Sequence, residues 1–281
     1  MTSTKRTVLI TGCSDGGLGA AIAVAFHNAG LHVYATARTP SKMKYLDSLG
    51  IQTLQLDVLD DASIAACVKK VPQLDILINN AGASYPMPFS DISIPEAKKL
   101  FDLNVWSYLA VTQAFLPLLI QSKGTVLNQT SLASVITVPF QSTYNASKAA
   151  IAMFSDHQRL ELAPFGITVI DLKTGTVKSN IVNNLSDWGS PLPEGSLYEP
   201  ARDVVEAFMG GEKFQKDADP AEPYAEWVVK NVLKKRPSHV LWYGGFYLWL
   251  TRLSLFLPVG ALDGTIKKIT GLDIVEKRLL K

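Results

Sequence analysis

The chain from residue 7 to residue 26 reads TVLITGCSDGGLGAAIAVAF. It begins with a short apolar run and ends in a helical pattern, with Gly12, Gly16, Gly17 and Gly19 between them. This order predicts a strand, a tight turn and a helix. Glycine lets a backbone approach a pyrophosphate closely, and the free N–H groups at a helix start attract its charge. The stretch therefore favours a phosphate-binding turn, although a glycine-rich turn can also simply reverse the chain.

The rest of the chain repeats this alternation of short apolar runs and helical patterns. Unbroken apolar strands flanked by helices are typical of a parallel sheet covered on both faces. We therefore predict an α/β fold, a doubly wound parallel sheet of Rossmann type, with ligands at the carboxyl ends of the strands. The predicted strands are 7–11, 32–37, 52–56, 75–79, 124–130, 167–172 and 238–243, and the predicted helices are 18–29, 62–71, 94–121 and 142–164.

One domain covering 1–281 is predicted, because no repeat, low-complexity tract or linker divides the chain. Its cofactor-binding core covers about 7–175. From 176 to 223 the alternation fails and prolines become frequent. A long irregular segment is typical of a substrate lid, with a solvated insertion as the alternative.

Composition excludes several classes of function. A net charge of +2 is too mild to indicate nucleic-acid binding. Cys13 and Cys67 are the two cysteines, which excludes a disulfide framework and fits a reducing compartment inside the cell. The 4 histidines are scattered without ligand spacing, so no metal is expected. No long hydrophobic region opens the chain, so no secretory signal is expected.

Two other motifs fit the glycine turn less well. An ATP-type phosphate loop needs a Lys after Gly17, where Leu18 stands. Residues 12–16 also fit the Gly-x-Ser-x-Gly elbow of α/β-hydrolases, with Ser14 as nucleophile. That elbow needs an upstream strand and loop to complete its oxyanion hole, and the stretch before Gly12 is too short for both. A dinucleotide is therefore the predicted ligand.

Arg38 closes the second predicted strand. An acidic residue there would hold the ribose 2′-hydroxyl of NAD, whereas an Arg can pair with the 2′-phosphate of NADP. The sequence thus predicts NADP(H), with a solvated Arg as the alternative. Asp57 and Val58, which end the third strand, are predicted to lie beside the adenine.

Tyr144 and Lys148 lie four positions apart in the run Tyr-Asn-Ala-Ser-Lys. On a helix this spacing places both side chains on one face. Moving the pKa of a phenol from about 10 to about 7 takes roughly 4 kcal/mol, which a cation ~4 Å away supplies in a partly screened site. We therefore expect Tyr144 to be a proton donor in a carbonyl reductase that uses a nicotinamide cofactor.

These motifs resemble the short-chain dehydrogenase/reductase family from about residue 7 to residue 176. Thr11-Gly12 and Gly17-Leu18-Gly19 resemble its cofactor turn, and residues 79–82, Asn-Asn-Ala-Gly, resemble its fourth-strand signature. Its four catalytic positions correspond to Asn104, Ser131, Tyr144 and Lys148. The predicted cofactor site comprises Gly12, Ser14, Gly17, Leu18, Gly19, Arg38, Asp57, Val58, Asn80, Ala81, Gly82, Tyr144, Lys148 and Thr176.

The chain departs from the family pattern in two places. The glycine turn is one residue longer than usual, which leaves open which N–H groups meet the pyrophosphate. Residues 173–176, Lys-Thr-Gly-Thr, replace the Pro-Gly that follows the sixth strand in the family. Loss of that proline is expected to loosen the wall beside the nicotinamide.

The resemblance implies a role for each catalytic position. Tyr144 would protonate the carbonyl oxygen as hydride arrives at carbon, and Lys148 would lower its pKa and hold the nicotinamide ribose. Ser131 would hydrogen-bond the substrate oxygen, and Asn104 would hold a water that links Lys148 to solvent. The alternative is that these are ordinary helix and loop residues.

Residues 240–258 form the most apolar stretch, with Arg252 as its charged residue. A spanning helix needs about twenty apolar residues, and Gly244, Gly245 and Arg252 argue against one here. We expect a segment that lies on a membrane or lipid droplet. A cap over an apolar substrate pocket and a dimer face are the alternatives.

Within the family, this stretch and the Thr-Gly-Cys-Ser turn resemble NADPH-dependent 1-acyldihydroxyacetone-phosphate reductases and hydroxysteroid dehydrogenase-like members. That implies reduction of a ketone on an apolar substrate such as a lipid, with Lys178 and Arg202 as candidate phosphate ligands. A ketoreductase of secondary metabolism, a hydroxysteroid-type dehydrogenase and a catalytically silent NADP-binding lipid-droplet protein are the alternatives. The family resemblance further implies a homo-oligomer, a dimer or tetramer, formed through the helices that carry Asn104 and Tyr144. The expected location is the cytosolic face of the endoplasmic reticulum or a lipid droplet, otherwise the cytoplasm.

Overall fold

A computed structural model describes residues 5–181, 191–211, 214 and 216–280, except the side chain of Phe246. Its strands are β1 (Thr7–Ile10), β2 (His32–Ala37), β3 (Gln52–Gln55), β4 (Ile76–Asn79), β5 (Thr125–Gln129), β6 (Thr168–Thr174) and β7 (Val240–Tyr243). They form one 7-stranded sheet in the order β3-β2-β1-β4-β5-β6-β7, and every pairing is parallel. All the predicted strands are confirmed, and so is the doubly wound α/β fold.

Helices cover both faces of this sheet. They are α1 (Leu18–Asn28), α2 (Lys44–Ser48), α3 (Asp61–Val68), α4 (Ile94–Phe101), α5 (Ser107–Ser122), α6 (Ser142–Glu161), α7 (Arg202–Met209), α8 (Ala221–Val232), α9 (Phe246–Ser254), α10 (Asp263–Thr270) and α11 (Leu272–Leu279). Phe26 of α1 and Tyr224 of α8 are buried in the core on one face, and Ile64 of α3 and Phe115 of α5 in the core on the other.

The burial of β1 shows why its sequence is apolar without interruption. Val8 and Ile10 enter one core and Leu9 enters the other, because successive side chains of a strand point to opposite faces. All three are fully buried. Each such side chain contributes about 2 kcal/mol through its removal from water. A polar residue at any of these positions would therefore oppose folding.

The strand order reverses beside β1, which pairs with β2 on one side and β4 on the other. The connections after β1 and β4 consequently leave the sheet in opposite directions and open a crevice at the carboxyl ends of the strands. The glycine turn follows β1, and Asn80 follows β4. Both predicted motifs therefore meet at the edge where ligands bind in such folds.

Two predictions about regular structure need correction. The helix predicted over 94–121 is interrupted by a π-helical turn at Asp102–Trp106, which contains Asn104. The segment predicted as irregular over 176–223 includes the helix α7, which buries Val205 and Phe208. The apolar stretch 240–258 begins with the predicted strand β7, and α9 follows it.

The long helical stretch Ile94–Ser122 is apolar enough to cross a membrane by length and composition. Its residues Val111, Phe115 and Leu119 are instead buried against the sheet. This helix is therefore a core element of the domain.

Candidate active site

The glycine turn passes so close to β4 and to its own helix that two positions require glycine. Gly12 has a φ of +74°, and a Cβ there would lie 2.8 Å from Ala81 Cα. A Cβ on Gly19 would lie 2.5 Å from the Gly12 carbonyl oxygen. Both distances are shorter than atoms tolerate, so glycine lets β1, β4 and α1 converge at the crevice.

The end of β4 holds this turn through hydrogen bonds. Asn80 Nδ2 donates to the Thr11 carbonyl at 2.8 Å and to the Gly12 carbonyl at 3.1 Å. In return, the Thr11 hydroxyl accepts from the backbone N–H groups of Asn80 and Ala81, at 2.9 and 3.0 Å. Asn80 and Ala81 thus fix the shape of the turn.

The additional residue of the turn ties it to the connection after β2. The backbone N–H of Asp15 donates to the Lys42 carbonyl at 2.7 Å, and Asp15 Oδ2 accepts from the Tyr45 N–H at 3.1 Å. The Gly17 N–H donates to the Ser14 carbonyl at 3.0 Å. Because that N–H is used within the turn, the start of α1 beyond Gly17 supplies the donors for a pyrophosphate.

A cavity of about 440 Å³ lies along this edge of the sheet. Most of the predicted cofactor and catalytic residues line it, namely Gly12, Ser14, Gly17, Leu18, Arg38, Val58, Asn80, Ala81, Gly82, Ser131, Tyr144, Lys148 and Thr176. Gly19, Asp57 and Asn104 are not among its lining residues. Gly19 acts through close packing, and Asp57 Oδ1 accepts from the Leu59 N–H at 3.0 Å. Asp57 therefore shapes the loop beside Val58.

Two cations stand at the end of the cavity that follows β2. Arg38 lies directly after the strand, and Lys42 lies in the 3-10 turn Pro40–Met43. Lys42 is a site residue that the sequence analysis missed. Two features could have indicated Lys42: it lies in the first turn after Arg38, and its carbonyl accepts from the Asp15 N–H of the longer glycine turn.

Helix α6 brings Tyr144 and Lys148 to the middle of the cavity, as the four-residue spacing predicts. Lys148 is buried, and its Nζ donates to the Gln129 carbonyl at 2.9 Å. The same Nζ lies 5.9 Å from the ring centre of Tyr144 and 5.5 Å from that of Tyr108. The ammonium thus sits below the phenol, against the end of β5.

The electrostatics of this pair differ from the prediction. Burial raises the pKa of Tyr144, and a hydrogen bond with the Ser131 side chain opposes the rise. Burial lowers the pKa of Lys148 to about 8, and the charge of Asp171 opposes that shift. The prediction that Lys148 draws the pKa of Tyr144 toward 7 is therefore wrong for the protein alone. Desolvation dominates, so Tyr144 remains a protonated phenol at neutral pH.

Ser131 is placed at the end of β5 by the turn that follows the strand. It is the N-terminal cap of the 3-10 turn Leu132–Ser134, and its Oγ accepts from the Ala133 N–H at 3.1 Å. The same side chain lies close enough to Tyr144 to oppose the rise in its pKa. The hydroxyls of Ser131 and Tyr144 therefore lie near each other. Two such donors can hydrogen-bond one carbonyl oxygen and stabilise the negative charge that develops on it.

Asn104 holds together the elements around Lys148. Its Oδ1 accepts from the Ala83 N–H, and its Nδ2 donates to the Ala83 carbonyl and to Ser147 Oγ, each at 3.0 Å. A Cβ on Gly82 would lie 3.1 Å from Asn104 Oδ1 and 3.6 Å from Lys148 Nζ, so the absence of a side chain keeps this space open. That Asn104 holds a water beside Lys148 stays a prediction.

The cavity continues from Tyr144 into an apolar half. Tyr247, Leu250 and Thr251 of α9 and Ile266 and Ile269 of α10 line it, together with Met209 and Phe214. The predicted alternative of a cap over the pocket thus describes one face of α9. The sequence did not identify the α10 residues, because short amphipathic helices more than 100 residues from Tyr144 carry no local signal.

The two candidate phosphate ligands lie outside this cavity lining. Lys178 is exposed. Arg202 bonds Glu206 Oε1 at 2.6 Å and Glu199 Oε2 at 2.5 Å, and it also donates to the Leu192 carbonyl at 2.7 Å. Arg202 is therefore occupied with structure around α7, which argues against this candidate.

The cofactor half fits a nicotinamide dinucleotide. The first turn of α1 opens onto the cavity and has no side-chain cap on its N-terminus. Such a helix start attracts a pyrophosphate, and the glycine turn leaves room for one. Val58 and Ala81 line this half together with Arg38, and Lys148 and Thr176 line it where it meets the apolar half. The arrangement places the chain's proton donor at the end where the reactive ring would lie.

Comparison with known proteins agrees with this geometry. A family model described as short chain dehydrogenase matches residues 6–190. A short-chain dehydrogenase/reductase of Pestalotiopsis microspora is 54% identical over 280 residues, with 99% of each chain covered. An NADPH-dependent 1-acyldihydroxyacetone phosphate reductase of Schizosaccharomyces pombe is 36% identical over 288 residues, with 95% of each covered. A short-chain dehydrogenase from Streptomyces avermitilis superposes with a TM-score of 0.77 at 25% identity, over 98% of both chains. The protein is an oxidoreductase of the short-chain dehydrogenase/reductase family.

Proposed function

We propose that the protein reduces a ketone on an apolar substrate to a secondary alcohol, with NADPH as the hydride donor. One observation carries the proposal. Tyr144 and Ser131 stand at the junction of a cavity whose one half fits a dinucleotide and whose other half is apolar. A carbonyl held there would meet two hydroxyls on its oxygen.

NADPH is favoured over NADH by the cations that follow β2. Arg38 and Lys42 line the cavity where the adenosine ribose would lie, with no acidic residue among the described lining of the cavity. A guanidinium and an ammonium suit a 2′-phosphate, whereas NAD sites use a carboxylate on the ribose hydroxyls. The Schizosaccharomyces pombe relative is itself NADPH-dependent by name.

The chain's own residues supply proton transfer and positioning. The bound nicotinamide would supply the hydride. Because burial raises the pKa of Tyr144, the phenol carries its proton at neutral pH and can donate it to the carbonyl oxygen. Ser131 would hydrogen-bond the same oxygen as negative charge develops. Lys148, a buried cation below the phenol, would stabilise the phenolate that remains.

The lining of the apolar half favours an uncharged substrate. Among the described residues of the cavity, the cationic side chains are Arg38, Lys42 and Lys148, and all three lie in the cofactor half or at the catalytic centre. A steroid, lipid or polyketide-like ketone therefore fits better than a phosphate ester. The second candidate is 1-acyldihydroxyacetone phosphate, which the named activity of the Schizosaccharomyces pombe relative favours.

A matched pair of substrates tests this choice. NADPH consumption would be measured with 1-acyldihydroxyacetone and with its phosphate, beside steroid and aromatic polyketide-like ketones, with each product identified by mass. We expect the uncharged ketone of the pair to have a kcat/KM at least equal to that of the phosphate. If kcat/KM for the uncharged ketone is more than about tenfold below that for the phosphate, a difference of about 1.4 kcal/mol, the phosphate ester is favoured instead. No turnover of any ketone would favour a catalytically silent NADP-binding protein.

The outer face of α9 supports a proposal of peripheral membrane association. Trp249 is 75% exposed and Phe256, just after the helix, is 86% exposed, while Tyr247 and Leu250 face the cavity. Large exposed apolar side chains beside a pocket for apolar ligands are typical of proteins that take substrate from a lipid surface. The cytosolic face of the endoplasmic reticulum or a lipid droplet is the proposed location.

Flotation with phospholipid vesicles tests the association. We expect the wild-type protein to float, and the double substitution Trp249→Ser and Phe256→Ser to abolish flotation without loss of turnover on a soluble ketone. Phe89→Ser is the matched control, because Phe89 is 84% exposed elsewhere on the surface. Failure of the wild-type protein to float would contradict the proposal.

A homo-oligomer is proposed through the surface that carries the catalytic helices. Trp106 precedes α5, Met153 and Leu160 belong to α6, and all three side chains are exposed. Apolar side chains on one helical surface are typical of subunit contacts. Sedimentation of the wild-type protein and of Met153→Glu would test this. We expect the wild-type protein to be oligomeric and the variant to dissociate. A wild-type protein that sediments as a monomer would contradict the proposal.

A further inference from the structure

Strand β6 carries an ion pair that is buried under the active site. Asp171 is 5% exposed and Lys173 is 8% exposed, and Lys173 Nζ lies 2.7 Å from Asp171 Oδ2. Residues two apart on a strand share a face, so both side chains leave the sheet on the same side. Strands inside a parallel sheet are ordinarily apolar, and the removal of charges from water opposes folding. The position of this pair therefore needs a reason other than stability.

The pair holds both ends of the segment that carries Ser131. On one side, the Thr130 hydroxyl donates to Asp171 Oδ1. On the other side, Lys173 Nζ donates to Ser134 Oγ at 3.1 Å, and the Ser134 hydroxyl donates to the Ser131 carbonyl at 2.6 Å. Asp171 and Lys173 thus fix the backbone before and after the Ser131 hydroxyl.

The carboxylate of the pair also acts on Lys148. Burial lowers the pKa of Lys148 to about 8, and the negative charge of Asp171 opposes this shift. The other described groups that face Lys148 are uncharged at neutral pH: the rings of Tyr108 from α5 and Tyr144 from α6, the Gln129 carbonyl of β5 and the Asn104 amide from the π-helical turn. The anion on β6 therefore balances the buried ammonium.

We propose that Asp171 and Lys173 are positioning residues for the reduction, which hold the Ser131 segment in place and balance the charge of the buried Lys148 ammonium. Asp171 favours the charged form of Lys148. Lys173 limits that effect, because its own charge neutralises part of the carboxylate. The proposal rests on the proposed ketone reduction for its link to turnover, and on the fold alone for its link to Lys148.

Opposite shifts from the two partners distinguish this role from a structural one. With Asp171→Asn the anion is lost, so the pH at which turnover declines should fall by about one pH unit. With Lys173→Met the anion acts on Lys148 without compensation, so that pH should rise. The double variant leaves no unpaired charge in the sheet, so the pH at which its turnover declines should lie between the values for Asp171→Asn and Lys173→Met. A loss of stability alone would move melting temperatures and leave every pH profile unchanged.

Two measurements keep the proposal separate from the proposed function. The amine of Lys148 would be titrated by NMR in protein with isotope-labelled lysine, and Lys148→Arg identifies its resonance. The pH dependence of NADPH affinity would be measured on the same variants. Neither needs a ketone, so a wild-type protein without turnover would refute the proposed function while these titrations still decide the present proposal.

Asp203→Asn is the matched control, because Asp203 pairs with Arg278 on the surface, far along the chain from the site. We expect it to leave the Lys148 titration unchanged. A Lys148 titration that is equal in the wild-type protein, Asp171→Asn and the double variant would overturn the proposal. Should Asp171→Asn fail to fold, the double variant and Lys173→Met still give the decisive comparison.

Discussion

Replacement of Gly19 with Ala is expected to weaken NADPH binding about thirtyfold while the domain still folds. A Cβ at this position would lie 2.5 Å from the Gly12 carbonyl oxygen and 2.6 Å from Asn80 Nδ2. Asn80 Nδ2 also donates to that carbonyl at 3.1 Å, so the new methyl group must separate a hydrogen-bonded pair. The displaced groups form the turn that would hold the pyrophosphate.

The magnitude follows from three terms. Overpacking costs about 1–3 kcal/mol, and the strained hydrogen bond costs about 1 kcal/mol. The greater helix propensity of Ala offsets less than about 1 kcal/mol in the first turn of α1. The turn can relax in the apoprotein but must regain its shape to hold NADPH, so the net penalty of about 2 kcal/mol falls on binding and corresponds to roughly thirtyfold in the dissociation constant.

Fluorescence titration with NADPH measures this change, beside thermal melting of the apoprotein. Gly264→Ala is the matched control, because a Cβ on Gly264 in α10 would meet no atom within 4 Å. It should bind NADPH as the wild-type protein does. An affinity of Gly19→Ala within about twofold of wild type, a difference of less than about 0.5 kcal/mol, would refute the reasoning about the turn.

Three further predictions concern the cofactor, the pH dependence and the substrate. Replacing Arg38 and Lys42 with Ala should lower kcat/KM for NADPH about 10- to 100-fold and leave kcat/KM for NADH nearly unchanged. The reason is that hydrogen bonds to charged groups contribute about 1.5–3 kcal/mol, and NADH has no 2′-phosphate to receive them. Lys178→Ala, at an exposed lysine, is the control. Turnover should fall as pH rises through about 8, where Lys148 loses its proton. Between pH 8 and 10.5, the ordinary pKa of a lysine, the unfolded chain binds more protons at Lys148 than the folded protein does. The contribution of Lys148 to the free energy of unfolding should therefore rise with pH over this range. Urea melts against Lys148→Met check that sign, and a contribution that falls with pH would contradict it. Leu250→Ala should raise KM for bulky apolar ketones about tenfold, through loss of about 1.5 kcal/mol of apolar contact, and steady-state kinetics that show an unchanged KM would contradict the placement of substrate against α9.

The sheet and most of the site are predictable because their signals are local. Central strands such as β1 and β4 are short apolar runs, and their burial on both faces leaves no polar alternation to confuse the pattern. The glycine turn, Asn80 and the Tyr144–Lys148 spacing are fixed within a few residues of chain. Ser131 lies two residues after the end of its strand. Local patterns therefore identify the elements that approach the cofactor.

Other features depend on partners that are distant in sequence. Asp171 and Lys173 interrupt an apolar strand, and their meaning depends on Thr130 and Ser134 about forty residues earlier. The π-helical turn at Asp102–Trp106 continues a helical pattern without a break, so periodicity does not reveal it. Helix α7 is 8 residues long, which is shorter than the window in which helical periodicity is recognised.

The pKa of Tyr144 is a property that residue spacing in the sequence does not predict. Spacing places Lys148 near the phenol and predicts a lowered pKa, but spacing does not report how far the site is removed from water. In the folded protein desolvation outweighs the nearby charge, and the pKa rises. The same burial lowers the pKa of Lys148. Reduction, which consumes a proton, is compatible with a phenol that starts protonated.

Turnover of Tyr144→Phe, measured together with its NADPH affinity, tests the central role of this phenol most directly. The substitution keeps the ring and removes the proton, with Tyr45→Phe on the exposed surface as the control. The account predicts that turnover falls about a hundred- to ten-thousandfold while the dissociation constant for NADPH is unchanged. Turnover close to that of the wild-type protein would contradict it.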